Sequence, residues 1–390
     1  MRFKVLTLNS ISLKGLDRLP RDRYEIASEI GLPDAILVRS ADMHAMKIPA
    51  SVRAVGRAGA GTNNIPVALL SQRGVPVFTS PGANANAVKE LVLAGLFLAA
   101  RHICEAWDFV RGLEGEGAAL DEAVEQGKKR FVGHELPGRT LGVVGLGAIG
   151  VEVANAAHLL GMRVLGYDPQ ITVQRAWQLS SGVDQALSLD DLFARSDAVT
   201  VHVPITEQTR GLVNAARLRL MRDGSAVLNF ARAAIVDEDA VIGALQSGKL
   251  SAYVCDFPSP RTRRQPGVVA LPHLGASTSE AEENCAMMVA DTLRDFLEHG
   301  NVRHSVNFPE ASLPRVPNTA RIAIANSNVP NMVGQISTCL AEAGLNIADL
   351  LNKSKGELAY TLIDIDGQAP PGLIDRICGI HGVLSARAIR

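Results

Sequence analysis

Short apolar runs alternate with polar or helix-like connections through the first eighty residues. The runs are KVLTL, AILVRS, VRAVGRAG and PVFTS, and this rhythm is typical of strands and helices around a parallel sheet. A second series of the same kind begins at the strand TLGVVGLG and continues through RVLGYD, AVTVHV, SAVLNF and AYVCDF. The pattern therefore predicts two α/β domains.

A third region follows a long helical pattern from Ser277 to His299. The segment NVRHSVNFPEASLPRVPN carries three prolines and little periodicity, which indicates a linker. Beyond it the pattern reads strand, helix, strand, strand, helix, strand, which is the ferredoxin-like βαββαβ order. We expect a small separate domain there.

Composition narrows the partners. The 390 residues include 39 basic and 40 acidic side chains, for a formal net charge of -1, so no strong field draws the chain to nucleic acid or anionic lipid. Five scattered cysteines without a CxxC pair favour buried thiols over disulfides or a metal site. No apolar run reaches 18 residues, and a cytoplasmic protein acting on a small molecule is expected.

The segment TLGVVGLGAIG places a GxGxxG motif between an apolar strand and a helix. Gly145 permits a tight turn, Gly147 lets the backbone approach a pyrophosphate, and Gly150 lets helix and strand pack closely. Asp168 ends the next strand, where a carboxylate binds the ribose hydroxyls of NAD and repels the 2′-phosphate of NADP. The alternative is that the glycines only form a turn and the aspartate only caps one. The glycines lie between a strand and a helix and the aspartate ends the next strand, and this order favours NAD binding.

Two strand ends carry the groups that hydride chemistry needs. Arg232 follows AVLNFA and His273 follows VVALP, at the edge where open α/β sheets bind ligands. A 2-hydroxy acid needs a cation for its carboxylate, which suits Arg232, and a base for its hydroxyl proton, which suits His273. Taken singly, each residue has a structural explanation; the dinucleotide motif favours catalysis.

Together these motifs resemble the D-2-hydroxyacid dehydrogenase family along essentially the whole chain. The matching segments are ILVRS, GRAGAGTNNIPV, SPGANANAVKEL, GRTLGVVGLGAIG, VLGYDP, VTVHVP, LNFARAAIVDEDAV, PHLGAST and VNFP. The resemblance implies a Rossmann-type doubly wound sheet inserted in a flavodoxin-like substrate domain. It implies a substrate-binding domain over residues 1–98 and 283–310, an NAD-binding domain over 99–282, a linker over 311–319 and a C-terminal domain over 320–390.

The resemblance also implies roles. Arg232 and His273 are the expected catalytic residues, and both are expected to contact substrate and cofactor. Backbone amides at Gly59, Ala60 and Gly61 are expected to hold the substrate carboxylate, and Arg57 its phosphate. Besides the three glycines of the motif and Asp168, the residues expected at the nucleotide are Ser80, Ala148, Ile149, Val203, Ala231, Asp256 and Gly275.

One departure from the family pattern stands out. The family carries a glutamate shortly after the aspartate of a DVFxxEP stretch, where it partners the histidine. Here the stretch runs from Asp256 to Arg261 as DFPSPR, without an acid before His273. Three alternatives stay open: another carboxylate reaches His273, His273 works with a lower pKa, or efficient catalysis has been lost.

The C-terminal region resembles an ACT-type domain, an amino-acid-sensing module, through ANSNVPNMVG, GLNIAD and AYTLIDID. Asn326, Asn328 and Asn346 fall where relatives bind L-serine, although asparagines also cap helices and turns. The resemblance implies NAD-dependent oxidation of D-3-phosphoglycerate by a homodimer or homotetramer, feedback-regulated by L-serine. An unphosphorylated D-2-hydroxy acid, such as glycerate or hydroxypyruvate, and a non-catalytic NAD-sensing role are the alternatives.

Overall fold

The computed structural model describes residues 2–389, and the chain divides into two compact units. The first comprises Met1–Ala83 with Glu282–Arg390, and the second comprises Asn84–Ala281. The domain boundaries expected from the sequence stay a prediction. No helix in the described part of the chain is long and apolar enough to cross a membrane.

Helices and strands are interspersed along the described residues. In chain order they are β1 (Phe3–Leu8), α1 (Leu13–Leu16), β2 (Tyr24–Ala27), β3 (Ala35–Val38), β4 (Ala54–Arg57), α2 (Val67–Gln72), β5 (Val77–Phe78), α3 (Ala85–Arg101), α4 (Ile103–Arg111), α5 (Ala118–Gly127), β6 (Thr140–Val144), α6 (Ala148–Leu159), β7 (Arg163–Tyr167), α7 (Val173–Ala176), β8 (Val183–Gln185), α8 (Leu189–Arg195), β9 (Ala198–Val201), α9 (Ala215–Leu220), β10 (Ser225–Asn229), α10 (Glu238–Gln246), β11 (Leu250–Cys255), β12 (Val268–Ala270), α11 (Ser279–His299), β13 (Thr319–Ser327), α12 (Met332–Glu342), β14 (Ile347–Lys355), β15 (Leu358–Asp366), α13 (Leu373–Cys378) and β16 (Val383–Ile389).

The first unit contains a five-stranded parallel sheet in the order β2-β1-β3-β4-β5. All four residues of β3 are buried, as expected for a central parallel strand covered on both faces. Helix α11 packs its apolar face on this sheet, with Val289, Leu293 and Phe296 in the core. The sheet is therefore completed by a helix that follows it by two hundred residues.

The second unit contains a seven-stranded parallel sheet in the order β12-β11-β10-β9-β6-β7-β8. From β6 the chain adds β7 and β8 on one side and β9 to β12 on the other, so the order of strand addition reverses between the parallel neighbours β6 and β9. Such a switch point is where open α/β sheets bind their ligands, at the carboxyl ends of the strands. The predicted α/β class with a Rossmann-type doubly wound sheet is confirmed.

The C-terminal residues form a four-stranded antiparallel sheet in the order β14-β15-β13-β16, with α12 and α13 on one face. The predicted βαββαβ order is therefore present. The opposite face contributes Ala323, Tyr360 and Leu362 to the same core as α11. Within the proline-rich segment before β13, Ala311 and Leu313 are buried in that core too, so the segment is packed rather than extended into solvent.

The cysteines are mostly as expected. Cys255, Cys285 and Cys339 are buried and Cys104 is half-buried. Cys378 is exposed, so the expectation of buried thiols is wrong there. Its position in the short helix α13 leaves one face toward solvent.

Candidate active site

The turn between β6 and α6 has the geometry of a phosphate cradle. Gly145 has a φ of +89°, and a Cβ there would lie 2.7 Å from Val203 Cγ1. A Cβ on Gly150 would collide with the carbonyl oxygen of Gly145, whereas one on Gly147 would meet nothing within 4 Å. Two glycines thus close the turn while the third leaves room at the helix N-terminus, where backbone N–H groups favour an anion.

Asp168 lies beside this turn at the end of β7. Its Oδ2 accepts a hydrogen bond from Leu146 N at 2.9 Å, and its Oδ1 accepts one from Gln170 N at 2.8 Å. The residue is half-buried, and each carboxylate oxygen keeps a free lone pair. Asp168 therefore shapes the turn and still has acceptors for ribose hydroxyls.

The end of β9 forms the other side of the switch point. His202 N donates to Val144 O at 2.7 Å, and the imidazole Nε2 lies 2.9 Å from Thr200 Oγ1. Burial lowers the pKa of His202 to about 3, so the ring is neutral at physiological pH. This agrees with a packed histidine at a strand end.

Arg232 follows β10 in a turn shaped by a fully buried asparagine. Asn229 Nδ2 donates to Arg232 O at 2.9 Å, and Asn229 Oδ1 accepts from Ala231 N at 3.1 Å. The side chain of Arg232 is exposed, and its Nη1 donates to Ala231 O at 2.6 Å. Sequence reasoning missed Asn229, whose only signal was a polar residue closing an apolar strand.

His273 follows β12 and has an unusual backbone. Its φ is +57°, its side chain is exposed, and its ring centroid lies 5.1 Å from that of Phe257. Among the described residues of its own unit, no carboxylate hydrogen-bonds or pairs with His273. The expectation that another carboxylate takes the place of the missing glutamate stays a prediction.

Asp256 differs from Asp168 in how its carboxylate is used. Its Oδ1 accepts from Leu274 N and its Oδ2 accepts from Gly275 N, each at 2.7 Å, and the residue is 1% exposed. The two bonded amides come directly after His273. The carboxylate of Asp256 thus contacts the loop that carries His273.

The expected nucleotide residues of the second unit all follow the carboxyl ends of its strands. After β6 come Gly145, Gly147 and the α6 residues Ala148, Ile149 and Gly150; after β7, Asp168; after β9, Val203; after β10, Ala231 and Arg232; after β11, Asp256; and after β12, His273 and Gly275. Because the strands are parallel, these ends share one edge of the sheet.

In the first unit, a second constellation follows the ends of β4 and β5. Gly59 N donates to Ser80 Oγ at 2.7 Å, and Ser80 N donates to Gly59 O at 3.1 Å. Arg57 Nε donates to Asn64 Oδ1 at 3.3 Å. Ala60 and Gly61 continue the loop, which is partly exposed, whereas Ser80 is fully buried. Ser80 therefore supports the glycine loop from beneath.

The three asparagines expected at an effector do not come together in one chain. Asn326 and Asn328 line a cleft of about 160 Å³ at the end of β13, with Asn331 and Asn352. Asn346 donates instead to Asp366 Oδ2 at 2.7 Å, and Asp366 pairs with Thr319 at the start of β13. The nine residues of β13 separate the two places, a span on the order of 30 Å.

Comparisons with known proteins agree with this geometry. Residues 93–275 match the family model described as D-isomer specific 2-hydroxyacid dehydrogenase, NAD binding domain. A D-3-phosphoglycerate dehydrogenase of Archaeoglobus fulgidus is 36% identical over 330 residues, which are 78% of this chain and 59% of that protein. The chain thus spans less than two thirds of that relative.

In two further matches, the aligned residues make up a larger share of the relative's own length. A D-3-phosphoglycerate dehydrogenase of Haemophilus influenzae is 32% identical over 349 residues, which are 86% of this chain and 81% of that protein. Holo D-mandelate dehydrogenase of Rhodotorula graminis has a TM-score of 0.67 at 25% identity, and the match covers 80% of this chain and 99% of that one.

Proposed function

Because this chain belongs to the D-isomer specific 2-hydroxyacid dehydrogenases, a family with an NAD-binding domain, we propose that it oxidises D-3-phosphoglycerate to 3-phosphohydroxypyruvate. This is the first step of L-serine biosynthesis. The observation that carries the proposal is that Arg232 and His273 follow strands of the same sheet that bears the phosphate cradle. The relatives support this substrate, because two of them are D-3-phosphoglycerate dehydrogenases.

The cradle fits NAD. The open position at Gly147 and the amides at the start of α6 suit a pyrophosphate, and the remaining lone pairs of Asp168 suit ribose hydroxyls. When bound, NAD supplies the acceptor for the hydride from C2 of the substrate. The residues of this chain have the other tasks.

His273 takes the proton of the C2 hydroxyl as the C2–H bond breaks, so that the C–O bond becomes a carbonyl. Arg232, a permanent cation with a donor fork, stabilises the substrate carboxylate and the oxygen on which charge develops. In the first unit, the amides of Gly59, Ala60 and Gly61 bind the carboxylate and Arg57 binds the phosphate. Arg57 thereby distinguishes a phosphorylated substrate from an unphosphorylated one.

The test is NADH formation at 340 nm with D-3-phosphoglycerate across a range of pH. We expect turnover that His273→Ala abolishes and that His44→Ala, an exposed histidine paired with Asp42, leaves intact. D-glycerate as the better substrate would favour the unphosphorylated alternative. Absence of turnover with either acid, together with retained NAD binding, would favour the sensing role.

We also infer a homo-oligomer. Helix α4 leaves Trp107 60% exposed and Val110 53% exposed, and Val132, which follows α5, is 78% exposed. In the same region Glu105 Oε2 is buried and has no hydrogen-bond partner among the described residues. Exposed apolar side chains on the helix that also carries a buried, unsatisfied carboxylate support a second copy of this chain as the partner.

L-serine regulation is the last part of the proposal. Asn326 and Asn328 lie at one end of the antiparallel sheet and Asn346 at the other, so a site using all three needs the sheet of a second chain. We expect millimolar L-serine to inhibit turnover and raise the melting temperature, and Asn328→Ala to weaken both effects. Asn352→Ala, a change in the same cleft, is measured in the same two assays. Unchanged activity and melting temperature with L-serine would refute the regulation.

A further inference from the structure

The loop that carries His273 is held by its backbone. The φ of +57° places His273 in the left-handed region, which a β-carbon disfavours. Three bonds keep it there: His273 N donates to Asp256 O at 3.1 Å, and the two following amides donate to the Asp256 carboxylate at 2.7 Å. Asp256 thus fixes the backbone position from which the side chain of His273 extends.

These bonds leave the imidazole itself able to rotate. The side chain is exposed, and no carboxylate of its own unit accepts a hydrogen bond from either ring nitrogen. A general base must present one nitrogen to the substrate hydroxyl, because proton transfer needs hydrogen-bond distance and direction. Within this unit, a contact other than a hydrogen bond to an acid must therefore limit rotation of the ring.

The ring of Phe257 lies against that of His273. The two centroids are 5.1 Å apart and the planes are inclined at 57°, within the range of favourable tilted aromatic pairs. Phe257 is half-buried. Among the ring contacts of the described residues, this is the one made by His273.

Phe257 is itself well held. It follows Asp256, whose N donates to Asn229 O at 3.2 Å, and it precedes Pro258, which restricts its backbone to extended conformations. Ser259 N then donates to Thr262 Oγ1 at 3.0 Å, and Thr262 is 1% exposed. The carboxylate that fixes the histidine loop is thus adjacent to the phenylalanine.

We propose that Phe257 is a positioning residue for His273, whose ring it orients by aromatic contact where its own unit supplies no acid. This inference rests on the proposed function, since it assigns His273 as the base. The face of Phe257 limits rotation about the side-chain bonds of His273 and leaves its nitrogens free for solvent or substrate. Phe257 acts through His273 and not on the substrate.

The test compares Phe257→Leu, Phe257→Tyr and the parent chain. Leucine removes the aromatic face, and tyrosine keeps it. The control is Phe3→Leu, which breaks another tilted aromatic pair, that of Phe3 and Tyr24 at 5.5 Å and 33°. We expect Phe257→Leu to lower kcat about tenfold or more, as displaced catalytic groups do, with the KM for NAD unchanged. Phe257→Tyr and Phe3→Leu should retain kcat.

A second measurement does not depend on turnover. Carbon-13 histidine spectra of the nine histidines, assigned with His273→Gln, report ring-current shifts from Phe257. We expect the His273 signal to move in Phe257→Leu and to stay in Phe257→Tyr. If leucine prevents folding, Phe257→Met takes its place as the non-aromatic variant.

The outcomes separate the two proposals. A parent chain without turnover refutes the proposed function, while the spectra still decide whether Phe257 orients the ring. An active parent whose kcat is unchanged in Phe257→Leu refutes the positioning role, even if the signal moves. An unmoved His273 signal in a folded Phe257→Leu chain refutes it as well.

Discussion

Arg321 and Asp364 form a fully buried ion pair inside the first unit, and breaking it provides a sharp test of the packing described above. Nε of Arg321 lies 2.6 Å from Asp364 Oδ1, and Nη2 lies 2.8 Å from Oδ2. Both side chains are 0% exposed. The remaining donors of Arg321 bond to the carbonyl oxygens of His299, Leu313 and Pro314.

The perturbation is Arg321→Met, which keeps an apolar stem of similar length and removes the cation. Asp364 is then buried without its partner, and three carbonyl groups lose a donor. Breaking a buried pair from one side costs about 3–5 kcal/mol, so we expect the free energy of unfolding to fall by about that amount. The comparison is Arg376→Met, which breaks the exposed pair of Arg376 and Glu342 at 2.7 Å and should cost much less.

A double-mutant cycle tests the physical reason. Asp364→Asn removes the other charge, and Arg321→Met with Asp364→Asn leaves no unpaired charge buried. We expect the double variant to be about 2 kcal/mol more stable than the sum of the two single changes predicts. Urea unfolding followed by circular dichroism gives the free energies. Hydrogen exchange should show lost protection near His299, Leu313 and Val316, which contact Arg321 or Asp364.

Additivity within about 0.5 kcal/mol would refute this reasoning, because distant, independent changes behave in that way. A loss below 1 kcal/mol in Arg321→Met alone would refute it too. The first result would show that the two charges do not stabilise one another. The second would show that the buried geometry does not hold in solution.

Three further predictions concern single side chains. Burial lowers the pKa of His202 from 6.5 to about 3, so the unfolded chain binds the proton first and stability falls as pH drops below 6.5. His202→Gln should remove up to about 2 kcal/mol of the loss between pH 7.5 and pH 5 in urea titrations, and an unchanged pH dependence would contradict this. Asp168→Ser should weaken NADH binding about tenfold and narrow the preference over NADPH, measured by cofactor fluorescence beside Asp184→Ser; an unaltered NADH-to-NADPH affinity ratio would count against the ribose contact. Trp107→Asp should dissociate the oligomer in sedimentation analysis, and a monomeric parent chain would refute the interface.

Local patterns predicted the parts of the fold that local geometry controls. The glycine turn before α6 was predictable because three glycines at set spacing leave few conformations between a strand and a helix. The positions of Arg232 and His273 after strands were predictable because an apolar run stops shortly before each of them. The βαββαβ order followed from periodicity in the same way.

The sequence could not predict contacts between residues that are far apart in the chain. Arg321 and Asp364 are separated by 43 positions, and each alone resembles an ordinary exposed charge in a strand. The prolines before β13 indicated a linker, yet Leu313 is buried and its carbonyl accepts from Arg321 at 2.7 Å. Proline content reports backbone stiffness and says nothing about what the segment packs against.

Asp168 and Asp256 show the same limit at the active site. Both end a strand of the Rossmann-type sheet, and the family resemblance implies a nucleotide contact for each. Each oxygen of both carboxylates accepts one amide hydrogen, but Asp168 is half-buried beside the glycine turn, whereas Asp256 is 1% exposed. A buried carboxylate whose two oxygens both accept hydrogen bonds has little capacity left to bind a ligand. It does fix the backbone whose amides it binds. The two aspartates therefore differ in role: Asp168 shapes the glycine turn and keeps a solvent-accessible carboxylate, and Asp256 keeps His273 in a backbone conformation it would not adopt alone.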